Sequence, residues 1–362
     1  MNAVVGATNL LLNCADAKPG ERLLIAYETA EYGYYSSEAF DCVLTAANDI
    51  GLETQYLDVG FSPDDPKLTP QLMLHLESAD IILFLARLGD QLRFSDMPQG
   101  KRIIVSFALD GILFGSGFGR ADHRAMLAIN NSVKKVLAGA SLVHVTCSKG
   151  TVFSGRPEMN LKPEGDTSIL RFPMSVFTPC PAGTFSGKVA LCGFLTGTGS
   201  KYYDDYTINF EGPVLALFTN GRLKGFEGSA SDVAAAERQY DRVSALFGID
   251  RNSVHSWHAG IHPGCGFPWN ASDDYKRWGG SAFGNPRILH FHTCGAYAPG
   301  EISWNVVDPT IVIDGVTYWE NGIFYADRLP GGADILINHP TVAAVFAKPD
   351  SAIGLPEYRR AV

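Results

Sequence analysis

Arg22–Tyr27 reads RLLIAY and Ala79–Ala86 reads ADIILFLA. Short, unbroken apolar runs like these suit strands buried on both faces, the pattern of a parallel sheet. Between them, Ser36–Asp49 carries Ala39, Val43, Ala46 and Ala47 at helical spacing and stops at Gly51. Working outward, Thr8–Cys14 reads as a helix ended by Lys18-Pro19-Gly20, Glu53–Val59 as a strand and Pro70–Leu76 as a helix. Lys101–Phe107 reads as a further strand, Asp122–Ala138 as a long helix and Val143–Thr146 as another short strand. Strands alternating with helices predict a doubly wound parallel sheet over residues 1–150.

The texture changes after Cys147. Phe172–Thr184, Lys188–Leu195, Tyr206–Phe210, Val214–Phe218 and Leu223–Glu227 read as strands, with Asn220-Gly221 as a hairpin turn. One helix stands out, Ala230–Phe247, with Ser231 or Asp232 as its cap and Gly248 as its stop. Ile288–Thr293, Thr310–Ile313 and Val316–Trp319 follow as strands. Residues 151–362 are therefore expected to form a β-rich α+β domain.

The chain has 362 residues, 46% of them hydrophobic and 19% charged, enough to bury a sizeable core. Its net charge of −9 disfavours nucleic acid and anionic membranes as partners. Apolar runs are too short to span a bilayer, and the opening stretch has no secretion pattern. The 7 cysteines never form a CxxC pair, which points to a reduced, cytoplasmic protein without a disulfide framework.

Histidine placement carries the chemistry. Of 9 histidines, His255, His258, His262, His290 and His292 fall within one stretch. In a strand, His290-Phe291-His292 puts both imidazoles on one face, about 7 Å apart at Cα. His258 and His262 lie in a turn-like segment, SWHAGIHPGCGFP. Neutral imidazole suits zinc, iron, copper or nickel, so His290 and His292 with a histidine from this turn, His258 or His262, could hold one metal. Glu301, after Pro299-Gly300, and His262 are the candidates for proton transfer. Asp308-Pro309 and Asp314-Gly315 read as turns. Gly115-Ser116-Gly117-Phe118-Gly119 misses the dinucleotide spacing, and Cys147 and Cys294 read as buried thiols rather than nucleophiles.

Several segments in order resemble one superfamily: KPGERLLIAY, ADIILFLA, GKRIIVSF, SLVHVTCSKGTVFSG, VLALFTNGRLKGFEG, HAGIHPG and VDPTIVIDGVTYWENG. It is that of the thermophilic metallo-aminopeptidases (aminopeptidases T and S), and in layout the chain looks like its 2,5-dihydroxypyridine dioxygenase branch. The resemblance implies an α/β domain followed by a β-rich metal domain, and a homo-oligomer. The aminopeptidase pattern departs here in its metal ligands. Thr184 follows Pro181-Ala182-Gly183 where the family has Glu, His258 stands where its second Glu opens a turn, and no HxD occurs around Glu301–Asn305. The dioxygenase branch holds one iron with two His and one Asp. Its lid histidine would fall near Arg87-Leu88-Gly89, where this chain has none, and the resemblance thus implies a metal-ligand set rebuilt from His258, His290 and His292. The expected function is thus a mononuclear Fe(II) ring-cleaving dioxygenase acting on a small hydroxylated (hetero)aromatic molecule. A zinc-dependent amidohydrolase or aminopeptidase-like hydrolase is the alternative, and a non-catalytic ligand-binding member the third reading.

Overall fold

The computed structural model describes residues 2–63, 66, 68–93, 95–159, 169–197 and 202–358. Five parallel strands form the first sheet: Arg22–Tyr27 (β1), Glu53–Asp58 (β2), Ile81–Leu85 (β3), Arg102–Ser106 (β4) and Ile169–Phe172 (β7), in the order β2-β1-β3-β4-β7. All five residues of β3 are buried, as its unbroken apolar run requires. Helices Ser37–Ile50, Pro70–Ser78 and His123–Gly139 match the helical spacing, the last capped by Asp122.

Two assignments shift. Val143–Thr146 (β5) leaves the parallel sheet and pairs antiparallel with Val152–Gly155 (β6) and Thr310–Ile313 (β17). Its pattern, Val143 and Val145 inward with His144 outward, is that of a strand buried on one face only. The fifth parallel strand comes instead from Ile169–Phe172, the start of what reads in sequence as one strand over Phe172–Thr184. That run breaks at Pro173, which cannot donate to a ladder.

Two antiparallel sheets make the second layer system. One has eight strands, adding Ser186–Ala190 (β9), Leu215–Thr219 (β12), Arg222–Glu227 (β13), Val316–Glu320 (β18) and Ile323–Phe324 (β19). Its β12–β13 hairpin turns on Asn220 and Gly221, both at positive φ, as the Asn-Gly pair predicts. The other has six strands, ordered β11-β10-β16-β15-β14-β8: Thr207–Asn209 (β11), Phe194–Gly197 (β10), Glu301–Val307 (β16), Ile288–Cys294 (β15), Val254–Ala259 (β14) and Cys180–Pro181 (β8). Helix Ala230–Phe247 has the expected bounds, but Ser229 caps it, its side chain accepting from Asp232 N. Two C-terminal helices, Gly332–Asn338 and Pro340–Ala347, are too short to stand out in the sequence.

Gly115–Gly119 forms no phosphate loop. It lies in short helical turns capped by Asp110 and Ser116, and a Cβ on Gly119 would meet Phe114 O at 2.3 Å. The sheet order reverses between β1 and β3, where doubly wound folds open a ligand crevice. Here that crevice holds a buried ion pair. Glu28 accepts from Arg87 N and Nε, and Arg87 lies 3.3 Å from the Phe61 ring centroid. Burial pushes the Glu28 carboxyl up while Arg87 draws it down. Arg87→Met should destabilise the fold by about 3–5 kcal/mol, because it strands a buried carboxylate. Urea denaturation should show much of that loss recovered in the Glu28→Gln/Arg87→Met double variant.

Candidate metal centre

Register builds the site. Across β14, β15 and β16, His258 pairs with His290 and His290 with Asn305; Ser256 pairs with His292 and His292 with Ser303. Thr196 of β10 extends this row beside Ser303. Side chains alternate between faces, so these polar groups share one face with Glu301. Trp257, Phe291 and Trp304 form the matching row on the other face. That face packs on the eight-stranded sheet, with Phe153 5.1 Å from Phe291 and Phe218 5.9 Å from Trp304 between ring centroids. Both faces are covered: all seven residues of β16 are buried.

His258, His290 and His292 bring three ring nitrogens within 4.8 Å of one another. His258 Nδ1 faces Phe177 O at 2.9 Å, and His292 Nδ1 faces Ala296 O at 3.2 Å. A carbonyl only accepts, so both rings carry their proton on Nδ1 and present a bare Nε2. Those two Nε2 atoms stand 3.2 Å apart, and His290 Nε2 lies 2.5 Å from that of His258. Bare lone pairs repel at such distances unless a proton or a cation is shared. Burial, reinforced by the neighbouring imidazoles, holds His258 and His290 well below the usual histidine range. A charged imidazolium is therefore disfavoured. A metal shared by two imidazoles at about 2.1 Å each sets their nitrogens about 3.0–3.4 Å apart, from right-angled to tetrahedral geometry. The donor set fits one divalent cation.

The third ring is held differently. Among the described residues His290 Nδ1 has no hydrogen-bond partner, and the ring stacks on Phe283 at 4.0 Å. Glu301, 1% exposed, puts Oε1 3.4 Å from His292 Nδ1. Asn305 accepts from Ser303 Oγ at 3.1 Å, while its Nδ2 is buried without a partner.

One expectation about these residues changes: His258 lies in strand β14 rather than in a turn. Glu301, after Pro299-Gly300, opens strand β16. Alternating Glu301, Ser303 and Asn305 against Ile302, Trp304 and Val306 was the available signal for β16. His262 stays outside the three-histidine group. Its Nδ1 accepts from Gly264 N at 3.2 Å, and its ring meets Phe118 edge-on at 4.9 Å. His255 also lies apart, with Nε2 2.9 Å from Cys294 O. Sequence reading missed Asn305, Ser303, Phe283 and the Phe177 carbonyl, which only the register and the return of residues 173–177 bring to the histidines.

No family model and no curated protein matches the chain. Among solved structures it is similar to a 2,5-dihydroxypyridine dioxygenase from Pseudomonas putida KT2440. The TM-score is 0.60 at 14% identity, over 92% of this chain and 99% of that one. At that identity the likeness shows the fold, a distant structural relationship. It carries nothing about the aminopeptidases. Among the described residues, no helix is long and apolar enough to cross a membrane.

Burial lowers His262 to about 3 and His123 to about 4. Both are neutral in the fold, whereas the unfolded chain takes up protons near pH 6.5. Their contribution to stability is full above pH 6.5 and declines as pH falls toward 4 and then 3. Urea midpoints measured from pH 7.5 to 4 should fall steadily. His262→Asn keeps an acceptor for Gly264 N but cannot ionise, so it should flatten that slope.

Proposed function

We propose that the protein is a mononuclear metal-dependent enzyme: a non-haem Fe(II) ring-cleaving dioxygenase acting on a small hydroxylated (hetero)aromatic compound. One observation carries this reading, the convergence of three imidazoles, two buried and one half-buried, on the polar face of a sheet. The fold's likeness to a dioxygenase supports it. His258, His290 and His292 would hold the metal, which when bound supplies Lewis acidity and, as iron, redox chemistry toward oxygen.

The remaining work falls to the chain. Among the described residues Asn305 Nδ2 has no acceptor, and it is the donor assigned to a substrate oxygen. A buried donor of this kind costs about 1–3 kcal/mol when unpaired, so it favours a ligand that carries the matching acceptor. Phe283, stacked on His290, supplies an aromatic surface against which a planar ring can lie. Packing closes His258 and His290 off from bulk water, while the half-buried His292 marks the open side of the cluster. Of the two groups expected to move protons, His262 sits apart. Glu301 is sealed beside His292 and meets a substrate only through that imidazole.

Three neutral imidazoles are also a zinc set, which favours a zinc-dependent amidohydrolase or aminopeptidase-like hydrolase as the second reading. A member that binds its ligand without catalysis is the third. All the cysteines are free thiols, which suits a cytoplasmic enzyme. A homo-oligomer and a small-molecule substrate complete the proposal.

Metal analysis of protein purified without oxygen, beside a His290→Ala/His292→Ala double variant, tests it. About one iron per chain, lost in the variant, with oxygen uptake driven by hydroxylated heteroaromatics, is the expected result. Zinc in place of iron moves the assignment to the hydrolase. No metal in either protein after reconstitution overturns both and leaves the ligand-binding reading.

A further inference from the structure

The three imidazoles are not oriented alike. His258 and His292 each face a backbone carbonyl through Nδ1, Phe177 O at 2.9 Å and Ala296 O at 3.2 Å. His290, 4% exposed, has no such partner among the described residues. Apart from the other two imidazoles, its ring packs on Phe283, stacked at 4.0 Å with 23° between the planes. A hydrogen bond to the outer nitrogen fixes a ring by one short, directional contact. A stack fixes it only as firmly as the stacking partner is itself held.

Phe283 is held from behind. Trp278 meets it edge-on at 5.2 Å and is fully buried. A buried indole N–H needs an acceptor, and Trp278 Nε1 donates to Ile353 O at 2.7 Å. That carbonyl belongs to a C-terminal segment bonded along its length to the connection between β14 and β15. Asn285 Nδ2 donates to Asp350 O at 3.0 Å and Arg287 Nη1 to Ser351 O at 2.6 Å. Phe267 N donates to Ala352 O at 2.9 Å and Ala271 N to Gly354 O at 2.8 Å. Every carbonyl from Asp350 to Gly354 is therefore taken by that one connection. Ile353 and Leu355 bury their side chains in the same apolar cluster as Trp278 and Phe283. The connection joins the strand of His258 to the strand of His290.

We propose that Trp278 is a positioning residue: anchored on the Ile353 carbonyl of the C-terminal strap, it holds Phe283 against His290 and supplies the orientation that a carbonyl gives the other two imidazoles. This rests on the reading of His290 as a metal ligand.

Ring-current shifts read the stack directly. In metal-free protein labelled with ¹³C-histidine, the His290 ring protons, assigned by their loss in His290→Ala, should lie upfield of an unstacked imidazole. Phe283→Leu should move them downfield. Trp278→Phe keeps an aromatic ring but loses the donor to Ile353 O, and Ile353→Ala loosens the strap. Both should move the His290 signals part of the way while those of His258 and His292 stay in place; a general loosening of the sheet would move all three. In the same two variants the dissociation constant for Zn²⁺, from competition with a chromophoric chelator, should rise about 10-fold. Folded variants with His290 unmoved, or with all three histidines moved alike, overturn the Trp278 assignment, as does a wild-type His290 without the upfield shift. A wild type that shows the shift but takes no Zn²⁺ overturns the metal reading, and this inference with it. Where neither variant folds, hydrogen exchange of the wild type decides. The Trp278 indole N–H should exchange in step with the Phe267 and Ala271 amides, which bond the same strap, and much faster exchange of the indole overturns the assignment.

Discussion

Side chains in a strand point to alternate faces, so neighbouring strands held in register must line up like with like. In β14, β15 and β16 this rule sets histidine beside histidine, and asparagine and serine beside them, on a single face. A slip of one residue in any of these strands would turn its polar row inward against Phe153 and Phe218. The aromatic rows behind the site therefore lock the register. The three-histidine cluster depends on that lock more than on any single contact of its own.

The front face is closed by pieces from distant parts of the chain. After leaving the parallel sheet at Phe172, residues 173–177 run alongside β14. Ile261 N donates to Ser175 O at 2.9 Å, and Phe177 O meets His258 Nδ1. Phe283 arrives from a short turn after the helix Tyr275–Ser281, whose Arg277 pairs with Asp110 at 2.5 Å. The parallel-sheet half thus buttresses the antiparallel half at both ends of the histidine cluster, though no metal-ligand candidate comes from the first sheet. In that half the Glu28–Arg87 pair sits at the switch point of the parallel sheet.

The strands that read well from sequence were those whose pattern is local: the apolar runs β1 and β3, the Asn-Gly hairpin, and the long helices with polar caps. The strands that misled sit next to strong turn residues. Gly260 and Pro263 hid β14, and Pro299-Gly300 hid the start of β16, because a breaker just outside a strand looks the same as one within it. Val143–Thr146 was seen as a strand but not as a member of the antiparallel sheet. Pairing partners are chosen by contacts far along the chain, which a local pattern does not record.

The sequence by itself determined the mixed α/β class, the two textures of the chain and the HxH pair on one strand face, since each follows from a period of 2.0 or 3.6 residues. It also singled out His258, His290, His292 and Glu301. Only the tertiary structure decided that His258 meets the HxH pair, that His262 and His255 do not, and that Glu301 lies behind His292. These depend on which strands pair and in which register. That choice is made by burying Trp257, Phe291 and Trp304 together, a cooperative packing of residues nearly fifty positions apart.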